Sequence, residues 1–493
     1  MMNPSVPVEA STRLRVLHAA VECMPFATTG GLGDVLAALP GAQCGLGMDA
    51  RIILPRYGFL DERIACGTVV AEVEALGRRA QIIESPVTAN GAPIYWCDIP
   101  DLFGHCADPY RRADGQELED LALRFAAFSE AVARFVCQSG VFAPQVVHVH
   151  DWHTALVSAW LKQLGSGARS ILSIHNLAFQ GQFDDTILQR CGFPAIARNE
   201  VSAESGGSFL RAGVVFSDAT STVSPSYARE IQQAEQGFGL DGLLRTLAED
   251  GRLTGIVNGI DERSWDPQTD ASLVRNYSIA DVDAGKSANR TALATELRLD
   301  ESDAPVIAFV GRLTSQKGAD LIAEAGPALL STQARYVLVG VGEPELTQRL
   351  QAFQATAPDR VAFCNRYDPD LVRRVLAGAD LLLMPSRFEP CGMLQMYAQR
   401  YGAIPVVRAT GGLIDTVVDA TPETLSAGSA SGVQFIDADA AGLVYGVRRG
   451  LDLLGDTAAR QGLQACGMNR SFSWSSTAAD YRRLYMQGAA TTA

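Results

Sequence analysis

The densest chemistry lies in the stretch LLLMPSRFEPCGMLQMYAQRYG. An apolar strand ends at Pro385, and Arg387, Glu389, Cys391 and Gly392 lead into a helical run. A carboxylate at Glu389 can accept hydrogen bonds from sugar hydroxyls. The amides of Cys391, Gly392 and Met393 can hold a sugar or a phosphate at the start of that helix. Cys391 as a nucleophile is a competing reading, and no histidine adjoins it to act as its base. Upstream, FVGRLTSQKGADLI puts Arg312 and Lys317 five residues apart in a strand-to-helix loop. A guanidinium and an ammonium so placed can neutralise a departing pyrophosphate; the plainer alternative is two solvated loop charges.

The first half carries three further stretches. In PFATTGGLGDVLAALP, Gly30, Gly31 and Gly33 match neither G-x-G-x-x-G nor the Walker pattern. Either they make a tight turn with Asp34 in the first helical turn, or they form an anion or sugar cradle at a helix N-terminus with Asp34 beside a sugar hydroxyl. TGGLGDV (29–35) is echoed by TGGLIDTV (410–417), so both halves use the same device. In VVHVHDWHTAL, His148 and His150 alternate along a strand and share one face, with Asp151 and His153 after them. Zinc is one reading, but H-E-x-x-H spacing and a cysteine partner are missing, which favours a buried hydrogen-bonded His–Asp network. SILSIHN ends a strand with His175 and Asn176, as a structural pair or as sugar contacts.

These loops need strands to end at them. LRVLHAAVE, ARIILP, PIYWCDIP, VVHVHD, SILSIHN and ATSTVS read as buried strands, with amphipathic runs such as TALVSAWLKQLG between them. The pattern restarts near residue 305 with APVIAFVGRL, ARYVLVG, RVAFCN, ADLLLMP and IPVVRA. The alternation predicts two doubly wound α/β domains with parallel sheets, facing each other across a cleft at the carboxyl ends of the strands. The expected boundaries are 14–258, a polar hinge with a helical continuation at 259–300, 301–470, and a terminal helix at 471–488.

The 493 residues are too many for one core, and 41 Lys and Arg against 55 Asp and Glu argue against nucleic acid as a partner. Ten scattered cysteines without a C-x-x-C pair point to a reducing, cytoplasmic setting. The first residues lack the apolar core of a signal peptide, no apolar run is long enough to span a membrane, and the last seven read as frayed.

TGGLGDV, HDWH, HNLAFQG, VSPSYAREI, GIVNGIDERSWDP, GRLTSQKG, PSRFEPCG and TGGLIDTV occur in the order and spacing of bacterial glycogen synthases and plant starch synthases, glycosyltransferase family 5. The chain resembles that family from about residue 14 to 486. The resemblance implies a GT-B fold whose terminal helix crosses back onto the first domain. It implies retaining transfer of glucose from ADP-glucose to the non-reducing end of an α-1,4-glucan, with no metal and no cofactor. Arg312 and Lys317 would contact the diphosphate, Glu389 the donor glucose, and Cys391 and Gly392, with Gly411 and Gly412, the glucose and phosphate. Asn258 and Tyr367 would lie at the nucleotide, His175 and Asn176 at the transferring glucose, Asp34 and Asp151 near the reaction centre, and Tyr110 towards the acceptor. Three positions depart from the family pattern: Thr28 where lysine is usual, Leu121 where asparagine is frequent, and Leu394 where many members have threonine. Thr28 and Leu121 motivate the alternatives of another donor such as UDP-glucose, a small acceptor, or a weakly active glucan- or nucleotide-binding paralogue.

Overall fold

The parallel strands at the centre of each sheet are buried on both faces, as their unbroken apolar runs require. The computed structural model describes residues 13–60, 62, 66–111, 120–202 and 206–487. The chain divides into two units: unit 1 runs to Thr222, includes Ile231–Ile256 and resumes at Trp474, while unit 2 comprises Val223–Glu230 and Val257–Ser473.

The strands of unit 1 are β1 (Arg15–Ala19), β2 (Asp49–Pro55), β3 (Thr68–Ala75), β4 (Arg78–Ala89), β5 (Ala92–Asp98), β6 (Val146–His150), β7 (Arg169–Ile174), β8 (Ala219–Thr222) and β9 (Leu253–Gly255). Their order is β3-β4-β5-β2-β1-β6-β7-β8-β9. From β5 through β9 the pairing is parallel. The sheet is not parallel throughout: β3, β4 and β5 form an antiparallel edge. The β3–β4 hairpin turns at Leu76 and Gly77, both at positive φ (49° and 71°), and its alternating half-buried residues lack the continuous apolar run that marks the central strands.

Helix α1 (Gly31–Gly45) buries Leu32, Val35, Leu36, Leu39 and Gln43. The C-terminal helix, Trp474–Met486, packs in the same unit and buries Trp474, Thr477, Ala478, Tyr481, Leu484 and Tyr485. Gln43 Nε2 donates to the Tyr485 hydroxyl at 3.0 Å, tying it to α1 across the whole length of the sequence.

Unit 2 has β10 (Val306–Val310), β11 (Arg335–Val339), β12 (Val361–Cys364), β13 (Leu381–Met384), β14 (Ile404–Arg408) and β15 (Val433–Phe435). Their order, β12-β11-β10-β13-β14-β15, is the doubly wound arrangement in which the direction of winding reverses at β10. Unit 1 reverses likewise at β1, between β2 and β6.

The expected hinge at 259–300 is not a free linker. Tyr277, Val282, Leu293 and Leu299 belong to the unit 2 core, and the buried Lys286 ammonium donates to the carbonyls of Leu376, Ala377 and Tyr401 at 3.0–3.1 Å. The helical continuation expected of this segment is Val282–Leu297, which buries one narrow face. A second difference lies at Val223–Glu230: this piece of the VSPSYAREI motif packs in unit 2 although the strand before it belongs to unit 1. Residues 112–119 of the acceptor-side stretch and 488–493 of the tail lie outside the described residues.

Candidate active site

In unit 2, the loops after β10, β13 and β14 meet at the switch point. Lys317 Nζ donates to Glu389 Oε2 at 2.6 Å, and the Ser386 hydroxyl adds a bond to the same oxygen at 3.0 Å. Glu389 is buried. Arg312 is exposed, and its guanidinium has no protein partner among the described residues, so its charge is uncommitted. Arg387 does not share that freedom: it grips Asp320 with two bonds of 2.8 and 2.7 Å, and its own amide donates to the Gln316 carbonyl. That clamp fixes the loop carrying Arg312 and Lys317 against the loop carrying Glu389.

The glycines of this site fill positions where a side chain has no room. At Gly411 φ is 48°, and a Cβ would stand 2.1 Å from the Glu389 carbonyl oxygen. At Gly412 a Cβ would stand 2.3 Å from the Cys391 carbonyl oxygen, and the Gly412 amide donates to the Glu389 carbonyl at 3.0 Å. Gly392 has φ 69° and precedes Met393 and the helix Leu394–Arg400. Asn258 is buried beside Cys391; its backbone N–H reaches the sulfur, and its side-chain Oδ1 is left without a partner. Burial pushes the Cys391 thiol up to about 12, so it cannot serve as a thiolate nucleophile near neutral pH. Tyr367 lies after β12 and is 77 % exposed.

In unit 1, the carboxyl ends of β1, β6 and β7 gather Asp34, Asp151, His175 and Tyr110 around a residue that the motifs did not single out, Glu22. Its buried carboxylate accepts from the Thr29 amide (2.7 Å), the Thr29 hydroxyl (2.8 Å), the Gly30 amide (3.2 Å) and the Tyr110 hydroxyl (2.7 Å). Burial, with Glu22's charge second, raises Asp34 to about 6. Asp151 sits at a positive φ of 56°, and burial raises it to about 7. Its carboxylate accepts from the His175 amide at 2.7 Å and from the Asn176 amide, so it fixes the strand end rather than an imidazole. The Asn176 Oδ1 accepts from the Ala178 amide at 3.1 Å. Thr28 and Gly31 are exposed, and the Thr28 hydroxyl donates to the Gly30 carbonyl at 3.3 Å.

The glycine-loop echo is real, but its use differs from the open cradle expected. In the first loop the Thr29 hydroxyl and the Gly30 amide bind Glu22. In the second, the Thr410 hydroxyl and the Gly411 amide bind Glu230, at 3.3 and 2.8 Å. Each loop is pinned by a carboxylate of its own unit, so the Gly30 and Gly411 amides are spent on the protein.

Behind His175 lies a buried histidine cluster. His18 and His148 are register partners on β1 and β6, and His150 follows two residues on. Their ligand nitrogens fall within 4.8 Å of one another, a grouping that can hold a metal ion. All six ring nitrogens are engaged with protein. His18 bonds to His150 (3.1 Å) and Gln43 (2.8 Å), His148 to Tyr485 (2.7 Å) and Ser173 (2.6 Å), and His150 also to His175 (3.0 Å). The expected His–Asp network is thus a His–Gln–Tyr–Ser network.

Residues 15–246 match the family model for the starch synthase catalytic domain, and 304–444 match that for glycosyl transferases group 1. Glycogen synthase from Aromatoleum aromaticum is 42% identical over 97% of both chains. Glycogen synthase from Yersinia pestis is 40% identical over 96% of this chain and 99% of its own. The catalytic domain of Starch Synthase IV from Arabidopsis thaliana, bound to ADP and acarbose, superposes with a TM-score of 0.83 at 33% identity over 97% of this chain and 99% of that one. The chain belongs to the glycogen and starch synthase family. It is a glycosyltransferase of the GT-B type, with two Rossmann-like domains.

Within the chain, the structure brings Lys317, Glu389, Cys391, Asn258, Gly411 and Gly412 together in one unit, and Asp34, Tyr110, Asp151 and His175 in the other. Glu22 and Gln43 lie outside the motifs, and Glu230 lies within VSPSYAREI without being singled out there. A carboxylate at the end of an apolar strand, as in VLHAAVE, was the available signal for Glu22; Gln43 lies in an ordinary helical run and gave none. Leu121 opens the helix Leu121–Gln138, and Leu394 the helix after the Glu389 loop, both unremarkable packing positions. No helix among the described residues is long and apolar enough to cross a membrane.

Proposed function

We propose that this member of the family is a glycogen synthase that uses ADP-glucose as donor and extends the non-reducing end of an α-1,4-glucan with retention of configuration. The observation that carries the reading is the uncommitted Arg312 guanidinium, on the same loop as a Lys317 ammonium already set 2.6 Å from buried Glu389. Lys317 and Arg312 stabilise the departing diphosphate, Glu389 orients the glucose hydroxyls, and Asn258 and Tyr367 hold the nucleoside. Asp34, His175 and Asn176 contact the transferring glucose, Asp151 positions His175, and Tyr110 faces the acceptor. Two candidate nucleophiles are disfavoured: the Cys391 thiol stays protonated, and Asp151 is held by two backbone amides. Attack on the face vacated by the diphosphate, with the leaving oxygen taking the acceptor's proton, fits such a site. The protein then works by positioning and by stabilising negative charge. A cytoplasmic setting goes with this reading, since none of the ten cysteines forms a disulfide.

The test is label transfer. Purified protein is incubated with ADP-[14C]glucose or UDP-[14C]glucose and either glycogen or maltooligosaccharides, and label is followed in polymer and in free glucose. Incorporation from ADP-glucose is expected; incorporation from UDP-glucose alone would reassign the donor, and binding without turnover would make the chain a weak paralogue. Thr28 favours a weakened phosphate end, because its hydroxyl turns back to Gly30 and supplies no charge. Thr28→Lys is expected to lower the donor KM about threefold to tenfold, the size of a single added phosphate contact of 0.7–1.4 kcal/mol. An unchanged or higher KM would show that the phosphate end has been rebuilt.

A further inference from the structure

Neutral imidazole has one N–H and one lone pair, so in a chain of histidines each bond fixes the next. The chain here starts at Gln43. Its Nε2 donates to the Tyr485 hydroxyl, which leaves Oε1 as acceptor towards His18 Nε2. His18 therefore carries its proton on Nε2 and accepts at Nδ1. His150 Nε2 must then donate to His18 Nδ1, and His150 Nδ1 must accept from His175 Nε2. On the other arm the Tyr485 hydroxyl donates to His148 Nδ1, and His148 Nε2 donates to the Ser173 hydroxyl. Every donor meets an acceptor. Turning the Gln43 amide over would reverse each of these bonds and move the His175 proton to Nδ1.

We propose that Gln43 and Tyr485 are positioning residues that set the tautomer of His175. The state they impose is Nε2–H, with the Nδ1 lone pair left as a hydrogen-bond acceptor for the substrate. His18, His148, His150, Ser173 and Gln43 are all fully buried, so water cannot stand in for a missing partner. Burial also keeps all four imidazoles neutral, with His18 and His175 both pushed down to about 4, which is what lets one amide dictate the whole row. Tyr481 and Tyr485 of the C-terminal helix face the row, and Asp151 accepts from the His175 amide; burial pushes the Tyr485 phenol well above its usual value. The C-terminal helix thereby acts on a residue at the carboxyl end of β7 through four hydrogen bonds.

The role of His175 in transfer rests on the reading above, but its tautomer does not, and the two are tested separately. The chain has six histidines, few enough for 15N-histidine labelling and long-range 1H–15N correlation. In the full-length protein His175, assigned by loss of its signal in His175→Gln, is expected to show a protonated Nε2 and an unprotonated Nδ1. Tyr485→Phe, which removes one oxygen, and Gln43→Met are each expected to give a mixture of both tautomers at His175. Turnover should fall by roughly tenfold or more, as the wrong tautomer does at other catalytic histidines, with donor KM within about twofold of wild type. A protonated Nδ1 in the unmodified protein would overturn the proposal, as would either variant keeping the single tautomer and full turnover. If the unmodified protein fails to transfer glucose at all, the functional reading falls, while the resonances still decide the tautomer.

Discussion

Arg312 and Lys317 carry the same charge five residues apart, yet the structure gives them different duties. Arg312 stabilises nothing in the resting protein, so Arg312→Ala should leave the melting temperature unchanged and cut kcat/KM by about 10² or more, as loss of one preorganised donor does. Lys317→Ala also leaves Glu389 buried beside only the Ser386 hydroxyl, and should cost about 2–4 kcal/mol of stability as well as activity. Equal stability losses in the two variants, by calorimetry, would refute this division. Asp151 makes the pH-dependent case. Its carboxyl is raised from 3.8 to about 7, chiefly by burial. The native chain therefore holds a proton that the unfolded chain has released, and stability is lost as the pH rises through that window. Asp151→Asn keeps an oxygen acceptor and a residue type that tolerates the φ of 56°. It should raise the melting temperature by a few degrees at pH 8 and very little at pH 4; the same gain at both values would exclude charge burial as the cause.

Among the elements, the two glycine loops show how far local sequence reads. Their place between strand and helix follows from the pattern alone, and so does the need for glycine. What the amides bind does not, because Glu22 and Glu230 come from seven or more residues away and their side-chain directions are set by packing. Gly411→Ala tests the element as built. With φ at 48° and the Glu389 carbonyl 2.1 Å from the new carbon, the loop must shift, at a cost of about 1–3 kcal/mol. Thermal unfolding should move accordingly, and donor affinity should fall with it; a variant with native stability and donor KM would mean the loop is not held by that contact. The segment 259–300 divides the same way. Its helical continuation reads from the sequence, but not that one narrow buried face and a lysine bonded to three carbonyls make it part of a core.

At the scale of the molecule, the sequence leaves unit 1 at Val257 and returns to it at Trp474. Trp474, Ala478, Tyr481, Leu484 and Tyr485 are buried there, each worth about 1.5–3 kcal/mol for a large side chain. Their sum approaches the whole stability of a typical domain. Ending the chain at Ser473 should therefore lower the unfolding transition of unit 1 and open it to limited proteolysis, while unit 2 keeps its own core and its resistance. Loss of both units together would show that they unfold as one.

The sequence by itself determined the two doubly wound domains, and it placed the glycine loops and the charged motif residues at strand ends. Those features are written in local periodicity and in motifs a few residues long. Only the tertiary structure decided which carboxylate pins which loop, that Asp151 holds a backbone rather than an imidazole, and that Gln43 and Tyr485 close the histidine row. Those are contacts between residues up to 442 positions apart. Their partners are chosen by sheet register and helix packing, which no single stretch of sequence encodes.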